Sequence, residues 1–297
     1  MSKLLLLVVT SFVLSCPIAA QDESSRQIIP EEFTKARPSK STASSAKGRT
    51  PYQAASAKKA ASSGNYQQLG LTLWRLRPAK SSDIARIIVQ EGDDVAEWTP
   101  ERVRADTPLK MGEKIRLSFE SPQPGYLYVI DRERYADGSV GEPILIFPTT
   151  RTREGDNKVA PGRLIEIPAQ EDRPNYFTLR QTRSDQIGEL VSVIVAPAPL
   201  AEITITNKAQ KLSPTLVSQW EKQWGAQTEK FEMMGGEGRI WTKAEQEAGA
   251  DVARELTQDD PGPQTVYRVA IKPGAPLWVN VGLKYKKNAP QKAKSSR

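Results

Sequence analysis

Ile115-Arg116-Leu117-Ser118-Phe119-Glu120 alternates apolar and polar residues, the period-two pattern of a strand with one face on a core and one toward solvent. Pro122-Gln123-Pro124-Gly125 follows as a turn, because proline presets φ and glycine frees it. Tyr126-Leu127-Tyr128-Val129-Ile130 is then apolar throughout, which suits a central strand covered on both faces. Strand, proline–glycine turn and strand together decide for a β fold.

The same signals recur outward from this hairpin. Ala136-Asp137-Gly138 marks a turn, and 144–147 pairs back. Strands are expected at 164–167, 176–179, 190–195 and 203–206, with 69–74 and 87–89 before the hairpin. Two helices interrupt them. Ser213 caps one with Pro214 at its first position, and Leu216, Val217, Trp220 and Trp224 recur at helical spacing up to Gly225. Thr242-Lys243-Ala244-Glu245 is a capping box, opening a helix expected to run through Val252 and Leu256. Strands at 265–271 and 277–283 close the chain, too few to fold alone. The expectation is mainly β: an antiparallel β-sandwich, immunoglobulin-like in general architecture, with two helices inserted before the last two strands. It forms a single domain over 69–283.

The ends read differently. Leu4 to Leu14 is an apolar run too short to span a membrane, and Ile18-Ala19-Ala20 offers small residues before Gln21. Residues 1–20 therefore read as a signal peptide cleaved between Ala20 and Gln21. Val13-Leu14-Ser15-Cys16 also loosely fits a lipoprotein box, with anchoring through Cys16 as the alternative. Residues 21–68 are rich in Ser, Ala and Lys without apolar periodicity, and are expected to be a disordered linker. Residues 284–297 are expected to be a basic, disordered tail.

The chain of 297 residues has a formal charge of +7. Residues 21–68 carry 8 basic and 4 acidic residues, and 284–297 carry 6 basic and none acidic. Residues 69–283 carry 27 basic against 31 acidic. The domain is mildly acidic, so no specific nucleic-acid partner is expected. The tails are left with weak, screened attraction to anionic surfaces.

Gly125 to Asp131, Gly141-Glu142-Pro143-Ile144-Leu145-Ile146-Phe147-Pro148, Asp156-Asn157-Lys158-Val159 with Pro161-Gly162, and Ile165-Glu166-Ile167-Pro168 occur in this order. Residues 95–200 thereby resemble the bacterial domain of unknown function 4384 family. The resemblance implies an accessory module of secreted or membrane-attached proteins, without an established activity or catalytic residue. No partner domain of the kinase- or caspase-like kinds joined to some members accompanies it here.

Chemistry is constrained by what the chain lacks. With no histidine and one cysteine, Ser-His-Asp and Cys-His machinery, imidazole zinc sites and intramolecular disulfides are excluded. Asp131-x-Glu133-x-x-x-Asp137-Gly138 misses the spacing of a calcium loop and reads as a solvated hairpin tip. The pairs Asp93-Asp94, Glu171-Asp172 and Asp259-Asp260 are at background for this many carboxylates. Trp220 and Trp224, four apart, read as helix packing rather than a sugar platform. No catalytic residue, metal or cofactor is expected.

The long segment from Pro148 to Gly162 remains, with Arg151, Arg153, Asp156 and Lys158 as a candidate interaction loop. On an extended chain Arg151 and Arg153 point the same way and can fork onto a carboxylate or phosphate. An exposed turn neutralised by Glu154 and Asp156 is the plainer reading. The expected function is a secreted or periplasmic, non-enzymatic interaction module of the bacterial cell envelope, its partner a protein or other envelope component. The alternative is a carboxylate-dependent hydrolase acting on envelope glycans.

Overall fold

The computed structural model describes residues 32–39, 66–91, 94–250 and 254–286. The signal peptide, its cleavage point, Cys16, Val252 and the tail from 287 onward lie outside them. The described chain is mainly β, in two antiparallel sheets.

The first sheet contains β1 (Tyr66–Pro78), β2 (Ile87–Glu91), β3 (Asp94–Val103), β4 (Lys114–Glu120), β8 (Ile165–Ile167), β9 (Phe177–Thr178), β12 (Thr228–Glu232) and β13 (Thr265–Ala270). The second contains β5 (Gly125–Tyr135), β6 (Ile144–Phe147), β7 (Lys158–Val159), β10 (Gln186–Ala196), β11 (Gln210–Lys211) and β14 (Leu277–Lys284). Two helices, α1 (Pro214–Trp224) and α2 (Lys243–Gly249), precede the last two strands as expected. The long β1 organises the first sheet. Its residues 70–76 pair with β4 on one edge, while 66–71 and 73–78 pair with β13 and β3 in line along the other. In the second sheet β5 lies between β6 and β10, and β14 flanks β10. β5 is thus the central strand its apolar run predicts.

The inward faces make one core. Leu69, Leu71 and Leu73 of β1 and Ile115, Leu117 and Phe119 of β4 meet Leu127 and Val129 of β5, Val191 and Val193 of β10, and Val279 and Val281 of β14. Behind the second sheet, α1 lays Val217 and Trp220 on Tyr128, Ile130, Ile194 and Trp278. Trp220 and Trp224 stack at 5.3 Å, so these aromatics are packing, as their spacing predicts. Ser213 accepts from the Leu216 N–H at the helix start, and the capping box Thr242–Glu245 forms on α2.

Four expectations are corrected. β4 is buried on both faces, so its polar positions are not solvated. Covered by α2, by 254–264 and by 32–39, they form the ion pairs Arg37–Glu120 at 2.7 Å and Arg116–Glu166 at 2.8 Å, and Arg102 of β3 pairs with Glu245 beside them. Arg102 and Arg116 also lie over the rings of Trp74 and Trp241, which pack together at 6.2 Å. Second, residues 32–39 are ordered within the stretch read as linker: Phe33 is fully buried and Arg37 is paired. Two anchoring side chains suffice where no periodic pattern exists. Third, α2 stops at Gly249, and Leu256 lies outside any helix, its N–H donating to the Gly162 carbonyl. A Cβ on Gly249 would lie 2.2 Å from the Glu166 carboxyl carbon, so glycine permits the close approach that ends the helix. Fourth, 203–206 forms no strand, while β1 begins already at Tyr66 and Tyr285 pairs with Leu109.

Candidate functional site

Residues 148–162 do not form an extended segment. Thr152 N–H donates to Thr149 and Gly155 N–H to Thr152, closing tight turns. Arg153 and Glu154 both take positive φ, 53° and 54°. This reversal separates the two arginines expected to act together. Arg151 is exposed, whereas Arg153 turns back and its Nε and Nη1 are shielded from solvent. Asp156 accepts from Arg163 at 2.6 Å. Burial would raise the Asp156 carboxyl, but the Arg163 guanidinium and the Lys158 N–H outweigh it and hold it below its ordinary range. Lys158 is exposed on β7. The four candidates therefore do not converge.

The partner that the fold does give Arg151 is the loop at 169–176. Arg151 Nη2 donates to the Arg173 carbonyl at 3.3 Å. Arg173 Nη1 donates to the carbonyls of Gln170, Glu171 and Asp172 at 3.2, 3.1 and 2.8 Å, and none of these bonds uses its Nε or Nη2. Two bonds to one oxygen lock the loops together: Asp172 Oδ2 accepts from Thr152 Oγ1 at 2.7 Å and from Ala169 N–H at 2.8 Å. Behind them, Asn157 Nδ2 donates to the Leu127 carbonyl while the Leu127 N–H returns a bond to Asn157. Two exposed guanidinium-bearing residues thus stand on loops held by buried polar anchors. Among the described residues no ion pair joins Arg151 or Arg173 to a carboxylate. Such groups suit a carboxylate or phosphate from outside.

The strongest perturbed chemistry lies elsewhere. Asp131, Glu133 and Tyr135 continue the inward face of β5 beyond Leu127 and Val129, and are not at the hairpin tip as the sequence suggested. Across the ladder Glu189 opposes Glu133, and Val191 opposes Asp131. Directly opposed side chains stand about 5 Å apart at Cβ. Tyr135 and Thr182 hydroxyls donate to Glu133, and Tyr285 and Gln186 donate to Glu189 Oε1. Asp131 Oδ1 and Glu189 Oε2 are buried without a hydrogen-bond partner. Burial pushes the Asp131 carboxyl up to about 6, with Glu133 adding to the rise against the Arg132 N–H. Burial, then the charge of Asp131, push Glu189 up to about 8, while the Tyr285 hydroxyl pulls it back. Desolvation and mutual repulsion are thus met by protons rather than by a cation. Sequence spacing could not reveal this site, because Glu189 and Tyr285 arrive from β10 and from the end of β14. Among the described residues no cluster has the geometry to hold a metal ion.

Comparison of the chain with protein-family models, with curated proteins and with solved structures returns no match. Among the described residues no helix is long and apolar enough to cross a membrane.

Proposed function

We propose that the chain is an exported, non-catalytic binding module of the bacterial cell envelope. It holds an anionic group of its partner on Arg151 and Arg173. The observation that carries this reading is the exposed Arg151 side chain on a loop locked to its neighbour by Thr152 and Asp172. Export rests on the short apolar run and small-residue exit of residues 1–20. The role of an accessory module rests on the resemblance of residues 95–200 to the domain of unknown function 4384 family. In the test, full-length protein captures partners from envelope extract, and the Arg151→Glu variant is run beside it. The variant should keep its melting temperature, because an exposed loop charge adds little stability. Its capture should drop at least tenfold, on the order of one charge-assisted bidentate pair. Undiminished capture contradicts the role of this loop.

The acidic cluster favours one second reading, the carboxylate-dependent hydrolase. Neighbouring carboxyls with separated proton affinities are what acid–base catalysis requires. The unpartnered oxygens of Asp131 and Glu189, however, are sealed from solvent, where a glycan cannot reach them. The binding module is therefore preferred. Turnover of an envelope glycan that vanishes with Glu189→Gln would reverse that preference.

A further inference from the structure

Residues 32–39 cross the outer face of the first sheet as a short strap, with one turn of helix at 32–35. Its two anchors stand four residues apart, the spacing that puts side chains on one helical face. Phe33 enters an apolar socket formed with Val266 and Phe231, and is fully buried. Gly70 forms the floor. A Cβ there would lie 2.7 Å from the Phe33 ring, so β1 carries glycine where the aromatic ring needs the space.

Arg37 enters a cage. Its Nε and Nη2 fork onto the two carboxylate oxygens of Glu120, each at 2.7 Å. Nη1 donates to the carbonyls of Thr257 and Asp260 at 3.2 and 2.9 Å, and Nη2 also to that of Pro261 at 3.1 Å. A guanidinium has five N–H donors, and these five bonds employ all of them. A lysine ammonium has three donors and cannot make the planar fork. Gln258 clamps the strap backbone, its Nε2 donating to the carbonyls of Lys35 and Arg37. The cage is thus complementary to arginine in particular, and the socket beside it to an aromatic ring.

Residues 40–65 join the strap to β1, a stretch of 26 residues. Fully extended, 26 residues reach up to about 90 Å, roughly twice the diameter of about 45 Å expected for a domain of this size. The covalent connection therefore does not restrict a strap to its own domain. Every contact described above would form equally with a strap from another chain.

We propose that this socket is a recognition site for a Phe-x-x-x-Arg segment. It is filled here by the chain's own 32–39 and is able to take the same segment of a second copy. Copies crowded together would then exchange straps and link, since a tethered strap competes only as well as its effective concentration allows. Exchange of an identical element is a low-cost route to association.

The test uses full-length protein. A variant with Phe33→Ala and Arg37→Ala has an open socket, and a labelled peptide spanning residues 28–41 is the probe. The variant should bind the peptide saturably, wild-type protein at least tenfold more weakly, and the Arg37→Lys peptide at least tenfold more weakly than the parent peptide. Wild-type and variant chains mixed at high micromolar concentration should give a mixed dimer by native mass spectrometry. Should the variant fail to fold, wild-type protein is cut at a protease site placed within 40–65. The released N-terminal piece should stay associated and exchange with labelled peptide. Overturning results are no peptide binding to a folded variant, equal binding of the Lys peptide, or loss of the cut piece without change in melting temperature. Peptide binding without any mixed dimer would overturn the second copy as occupant.

Discussion

Each sheet gathers three carboxylates, and the two gatherings are accommodated in opposite ways. On the outer face of the first, Glu120, Glu166 and Glu245 each meet an arginine. On the inward face of the second, Glu133 and Glu189 meet tyrosine, threonine and glutamine donors, and Asp131 takes the Arg132 N–H. Burial raises Glu166 at the first place, and Asp131 and Glu189 at the second. At Glu166 the Arg116 charge pulls against it, together with hydrogen bonds from Gln170 and Ser118. At Glu189 the largest charge effect comes from Asp131, which adds to the rise. The first region is neutral because cations were placed there. In the second, charge is reduced because Glu189, and at mildly acid pH Asp131, retain protons. Arginine pairs are insensitive to pH in the physiological range, whereas a retained proton is lost as pH rises.

The largest effect expected from this contrast is at Arg116. Arg116→Leu leaves Glu166 buried without its cation, and should destabilise by about 3–5 kcal/mol in chemical denaturation. Combining it with Glu166→Leu should recover much of that loss, because both charges are then gone. A single variant as stable as the parent would dissolve the distinction between the two regions. A smaller effect is expected at Gly249, where a Cβ would strike the Glu166 carboxyl. Gly249→Ala should cost about 1–3 kcal/mol by overpacking, read as a lowered melting temperature. The smallest is at Tyr285. Tyr285→Phe removes one donor to Glu189 and should cost about 1 kcal/mol near neutral pH. It should also carry the alkaline loss of stability to higher pH, since that hydroxyl lowers the Glu189 proton affinity.

The two regions were unequally legible in the sequence. Alternation along 115–120 located β4 and its inward residues, because the core reads side-chain hydrophobicity directly. It could not tell solvent from arginine on the other face, since both satisfy a polar side chain. β3, with Pro100 and no clean alternation, and the charged β12 were missed for a related reason: pairing with neighbours holds them, not an apolar stripe. The strap at 32–39 depends on Phe33 and Arg37 alone, too few to register as a period. The carboxylates of β5 stand out in the sequence as an oxygen-rich run, a pattern that fits a solvated tip equally well. Their burial depends on β10 and β14, which supply Glu189 and Tyr285 from far along the chain. The candidate loop was found, yet its partner was not. Positive φ at Arg153 and Glu154 turns Arg153 away, and Arg151 reaches the Arg173 carbonyl instead.

The most direct test is stability against pH for wild type and Glu189→Gln, by denaturation from pH 5 to pH 9. The folded state holds a proton on Glu189 up to about 8, against an ordinary value of 4.5, and on Asp131 up to about 6, against 3.8. Folding therefore binds protons in this range. The contribution is fully present below the ordinary carboxylate values and is lost as pH rises through the folded ones. With no histidine in the chain, no imidazole titrates inside the window. Wild-type stability should fall steadily from pH 5 to pH 8. Glu189→Gln, neutral at every pH, should lose most of that slope and overtake wild type above pH 8. Parallel curves for the two proteins, or a wild-type curve that is flat or rises across the window, would contradict proton retention in the acidic cluster.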